Sequence, residues 1–114
     1  MPDDFLTFIE TGAFTRCVQA LGLEASVERL QAELLANPEA GDVEPGTGGL
    51  RKIRIADPSR GKGKRGGARV HYLWLQHKGR IYLIFAYAKD ELTTLTAAQK
   101  RQLRTLAAKI REER

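Results

Sequence analysis

Cationic side chains recur in this chain at spacings that can gather them around one anion. Lys52 and Arg54 alternate with Ile53 and Ile55, the two-residue period of a strand with one cationic and one apolar face. Arg69 and His71 share a face of a second strand-like run, opposite Val70, Tyr72 and Trp74. Lys89 closes a third run, which also carries Tyr87. Between the first two runs lies Arg-Gly-Lys-Gly-Lys-Arg-Gly-Gly, residues 60–67, which adds Lys62, Lys64 and Arg65. Arg51 adds a cation at the head of the first strand. Glycine allows a ligand to approach the backbone N–H groups closely, and Lys and Arg supply charge. A phosphate backbone is the partner that suits such a surface. The same composition also suits a solvated hairpin loop, and composition alone leaves both readings open.

What chemistry would this set perform on RNA? Cleavage beside a ribose 2′-OH needs a proton acceptor for that hydroxyl, stabilisation of the phosphorane, and a proton for the leaving 5′ oxygen. Lysine serves as the base where neighbouring cations disfavour its charged form, which points to Lys52. Arginine stays charged and grips non-bridging oxygens with a planar fork, which suits Arg54 and Arg69. His71 or Tyr87 can offer the acid, although His71 reads equally well as a packing or hydrogen-bonding residue. Other chemistries lack their residue sets. Two histidines and a single cysteine give no zinc-ligand spacing, and neither a Walker loop nor a GxGxxG turn occurs. No metal and no cofactor are expected.

The elements that must position these side chains follow from periodicity. A length of 114 residues suits one domain spanning residues 1–114. A short apolar strand is expected over residues 4–10, then Thr11 as the N-cap of a helix over 13–21. Cys17 lies on that helix's apolar stripe and reads as a small hydrophobe. A second helix over 24–36 carries Val27, Leu30, Leu34 and Leu35 on its apolar stripe, and Asn37-Pro38 ends it. Residues 38–49 read as a loop, with Asp42 and Glu44 as loop carboxylates. Strands are expected over 50–56, 69–76 and 80–88, the last two joined by a turn at His77-Lys78-Gly79. Thr96 and Gln99 form a capping box for a last helix over 97–114. Its core stripe is Leu103, Leu106, Ala107 and Ile110, and Lys100, Arg101, Arg104, Lys109 and Arg111 make a basic outer face.

The net charge is +5, and the chain before Gly46 is acidic, so the positive excess falls on the candidate strands and the last helix. That points to an anionic partner, nucleic acid or an acidic protein. No bilayer-length apolar run or signal segment is seen, and one cysteine suits a reducing compartment, so a cytoplasmic protein without a membrane partner is expected.

Three stretches carry more than composition. They are GTGGLRKIR from Gly46, GKRGGAR from Gly63, and YAKDE from Tyr87. In combination they resemble the RelE superfamily of bacterial type II toxins, most closely its HigB-like branch. The resemblance implies an α+β fold: a strand, two helices, a three-strand antiparallel run in a twisted sheet, and a C-terminal helix. It also implies a ribosome-dependent mRNA interferase, an endoribonuclease that inhibits translation by metal-independent cleavage through the 2′-OH. Its partners would be the ribosome, mRNA and a cognate antitoxin, usually of helix-turn-helix type. By position, Lys52 and Arg54 match the basic pair that faces the message. Arg69 matches the arginine that holds the scissile phosphate, and Lys89 the basic residue after the last strand. The tyrosine that stacks on a base in RelE has no counterpart; Thr96 falls near its place, leaving Tyr87 or His71 to substitute. Two other activities fit the same resemblance: a ParE-like gyrase inhibitor, and an inactive relative that binds only antitoxin or RNA.

Overall fold

Alternation along three strands separates two apolar faces, and helices cover both. In a computed structural model, which describes residues 6–58, 61, 63, 67–89 and 94–113, the elements run β1 (Thr7–Glu10), α1 (Gly12–Leu21), α2 (Glu24–Ala36), β2 (Asp42–Val43), β3 (Arg51–Ile55), β4 (Ala68–Leu75), β5 (Arg80–Ala88) and α3 (Ala97–Glu112). The described residues make a mixed α+β fold whose single five-stranded sheet has the order β1-β5-β4-β3-β2. The β1–β5 pair is parallel and the others are antiparallel.

The first face packs Phe14, Val18, Leu23, Val27, Leu30 and Leu34 of the α1–α2 region against Ile53, Ile55, Val70, Tyr72, Ile81 and Leu83 of the sheet. The second packs Ala107 and Ile110 of α3 against Leu50, Leu73, Leu75, Tyr82 and Ile84. The sheet is therefore the middle of three layers, and each large apolar side chain it fully buries stabilises the fold by roughly 1.5–3 kcal/mol. Leu35 departs from the expected stripe of α2: it is 53% exposed, because it falls beyond the arc that Leu30 and Leu34 present to the sheet.

Local chemistry sets the helix ends. Thr11 Oγ1 accepts from Phe14 N at 3.1 Å and donates to the Ile84 carbonyl at 2.6 Å, so one side chain caps α1 and ties it to β5. At α3, Thr96 Oγ1 accepts from Gln99 N and Gln99 Oε1 accepts from Thr96 N, completing the expected capping box. The helix ends at Glu112, two residues short of the expected end, and Arg114 lies outside the described residues. The expected N-terminal strand is present as β1, with Asp4 and Phe5 also outside the described residues.

Residues 38–49 are more ordered than a plain loop. Asp42 and Val43 pair with Lys52 and Arg51 as β2, a strand too short for periodicity to reveal. Tyr72 Oη accepts from Gly41 N at 2.9 Å and donates to the Pro38 carbonyl at 2.8 Å, which anchors the approach to β2. The following turn is closed by Thr47, fully buried. Its hydroxyl donates to the Glu44 carbonyl at 2.7 Å and accepts from Leu50 N at 3.2 Å. Gly48 and Gly49 have φ of +75° and +100°, a region that side chains disfavour, and they bring this turn against Arg104, Ala107 and Arg111 of α3.

One irregularity aims the site. Tyr72 pairs with Leu83 while His71 pairs with Phe85, so Ile84 is an extra residue on β5. Ile84 and Phe85 then both contribute to the α3-side core, whereas Ala86 belongs to the opposite one. The bulge turns Phe85 and Tyr87 onto the face that carries Lys52, Arg54, Arg69 and His71; an unbroken β5 would have sent them to the other side.

Candidate nucleic-acid interface

Strand register places the candidate side chains in two rows across the α3 face. The first row is Lys52, His71 and Phe85; the second is Arg54, Arg69 and Tyr87. Charge lies toward β3 and aromatic surface toward β5. The three rings form a cluster in which each lies against the other two. His71 and Phe85 are 4.8 Å apart and nearly parallel, at 4°; Tyr87 lies 5.6 Å from His71 and 5.4 Å from Phe85.

The cations differ in environment. Arg54 is exposed and sits directly across from Arg69. Arg69 is buried in the sheet surface, and one of its guanidinium nitrogens donates to the Ala68 carbonyl at 3.3 Å. Burial first, and then the charge of Arg54, holds its pKa below the usual arginine value, with Tyr87 acting in the opposite sense. Lys89, also exposed, follows β5, with its backbone N–H donating to Gly67 O at 3.0 Å.

His71 is placed for packing. It is 0% exposed, and neither ring nitrogen has a hydrogen-bond partner among the described residues. Burial first lowers its pKa to about 4, with Glu44 opposing and Lys52 reinforcing the shift. At neutral pH the imidazole is uncharged and enclosed, so it lacks the acidic imidazolium proton that a leaving group would need. Tyr87 is 6% exposed. Burial first, then Glu44, raises its pKa above the ordinary tyrosine value, with Arg69 opposing, so the phenol keeps its proton.

Arg51 belongs to the other face. It alternates with Lys52, and its guanidinium donates to the Gly41 carbonyl at 2.8 Å and the Glu39 carbonyl at 3.3 Å, with the Glu39 carboxylate 3.8 Å away. These contacts set it apart from Lys52 and Arg54, with which it was grouped by charge. Lys62, Lys64 and Arg65 lie outside the described residues.

Sequence reasoning missed Glu44. Read as a loop carboxylate, it stands inside the cationic face. One oxygen is 3.2 Å from Lys52 Nζ and the other 3.8 Å from Lys100 Nζ, and the side chain is 14% exposed. The available signal was the spacing: Glu44 and Lys52 flank the Pro-Gly-Thr-Gly-Gly turn, and Glu44 N donates to Leu50 O at 2.8 Å across it. Lys100 and Arg104, expected on the outer helix face, both reach this turn: Arg104, which stays exposed, donates to the Gly46 carbonyl at 2.9 Å.

Among the described residues, no three His, Cys, Asp or Glu side chains gather as a metal site requires, and no helix is long and apolar enough to cross a membrane. The fold and face together define a mixed α+β protein whose sheet carries cations and aromatic rings on one side. No known protein-family model matches the chain.

Proposed function

We propose that the chain is a metal-independent endoribonuclease of the RelE and HigB kind, a toxin that inhibits translation by cutting mRNA on the ribosome and is held in check by an antitoxin. One observation carries this reading. Lys52, Arg54 and Arg69 share one sheet face, as the phosphates of an RNA backbone would require. Arg54, Arg69 and Lys52 supply the charge for the non-bridging oxygens of the scissile phosphate, and the 2′-OH gives its proton to water. The 2′ oxygen then bonds to phosphorus as the 5′ oxygen departs, leaving a 2′,3′-cyclic phosphate. Tyr87 replaces His71 as the source of the leaving group's proton, because its phenol is protonated at neutral pH and adjoins Arg69 in register.

The test is a cell-free translation reaction with mRNA 5′ ends mapped by primer extension, with and without ribosomes. Cuts confined to translated message support the reading; an intact message with normal translation rejects it. The enclosure of His71 and near-enclosure of Tyr87 favour a second reading, an RNA-binding relative that does not cut. It would retain RNA in a binding assay while leaving every message whole.

A further inference from the structure

Glu44 occupies the place an anion would take. Its two carboxylate oxygens face two lysines from different elements, Lys52 of β3 at 3.2 Å and Lys100 of α3 at 3.8 Å. Both lysines are partly exposed, while Glu44 is mostly enclosed. The carboxylate is not there by chance of a long side chain. Thr47 and Leu50 fix the Glu44 backbone, the two glycines after Thr47 seat the turn on α3, and Arg104 fastens Gly46. A planar pair of anionic oxygens between two ammonium groups has the charge pattern of two non-bridging phosphate oxygens.

We propose that Lys52 and Lys100 form a second phosphate subsite, beside the Arg54–Arg69 pair, and that Glu44 fills it in the free protein as an internal competitor. The subsite rests on the RNA reading above and extends it by one backbone phosphate and one helix. RNA must displace the carboxylate from both lysines before they can neutralise phosphate. Glu44 therefore weakens binding twice, by occupying the lysines and by leaving a negative charge next to the incoming strand. Glu44→Gln keeps the shape and removes both effects.

The experiment measures binding of a 2′-O-methylated oligoribonucleotide, which cannot be cleaved, across a salt series. Wild type, Glu44→Gln, Lys100→Gln and the double variant are compared, with circular dichroism and thermal melts confirming the fold of each. Glu44→Gln is expected to bind about three- to tenfold more tightly at low salt. Its log–log salt slope should steepen by about 0.7 for each lysine released to phosphate. Lys100→Gln should weaken binding less in the wild-type background than in the Glu44→Gln background, where it should cancel part of the gain, a coupling expected of a shared site. If wild type and Glu44→Gln bind with equal affinity and slope, or the variant binds more weakly, Glu44 merely orients Lys52 and the subsite is rejected. If no variant binds RNA at all, the RNA reading itself falls, and the subsite with it.

Discussion

Acid should destabilise this protein through His71, and replacing that residue should remove the effect. The imidazole has a pKa of about 4 in the folded chain and near 6.5 once unfolding exposes it. Between those values the unfolded chain holds the extra proton, so stability is full above about pH 6.5 and falls as the pH drops toward 4. The separation of about 2.5 units corresponds to roughly 3 kcal/mol across the whole window. Some 2.5 kcal/mol of that is lost between about pH 7.5 and 4.5. A domain of this size has roughly 5–15 kcal/mol in total, so the loss is easily resolved. Urea denaturation at a series of pH values is the assay, run on wild type and His71→Phe. The variant fills the same place against Phe85 and Tyr87 and removes two buried nitrogens that have no partner among the described residues. It should be as stable as wild type or more so at pH 7.5, and the difference between the two proteins should widen as the pH falls. Parallel pH profiles would refute the argument and show that His71 is hydrated or paired in solution.

Three further outcomes separate structural from functional residues. Arg51→Ala should cost about 1–3 kcal/mol in a denaturation experiment, since it removes charged hydrogen bonds to the Gly41 and Glu39 carbonyls. The surviving folded fraction should still cleave RNA. Exposed Arg54, changed to Ala, should leave stability within about 0.5 kcal/mol and lower cleavage by about a hundredfold or more. Gly49→Ala should destabilise by about 1–2 kcal/mol in a thermal melt, because φ there is +100°, where a side chain is disfavoured.

Most of the frame was legible because period and punctuation coincide. Thr11, the Asn37-Pro38 stop and the Thr96–Gln99 box each mark a helix end by a local hydrogen-bond or steric rule, and the structure places those ends there. Ile53 and Ile55 against Lys52 and Arg54 likewise gave the two faces of β3 directly. The site was less legible. The bulge at Ile84 has no local signature, because β5 is apolar on both faces and either parity looks the same in sequence. Without it, Phe85 cannot be placed among the cations. The direction of Arg51 was readable from alternation, yet charge alone grouped it with Lys52. Glu44 was hidden for a different reason: its meaning depends on Lys100, 56 positions later in the chain, and only the tertiary fold brings them together.

The central claim is that the Lys52–Arg54–Arg69 face acts on messenger RNA. It is tested most directly by adding wild type and the Lys52→Ala/Arg54→Ala/Arg69→Ala variant to a cell-free translation reaction and sequencing the mRNA 5′ ends. Circular dichroism first establishes that the variant is folded. The account expects new 5′ ends on translated message with wild type and none above background with the variant. Equal cleavage by the folded variant would contradict it and move the active surface elsewhere on the protein.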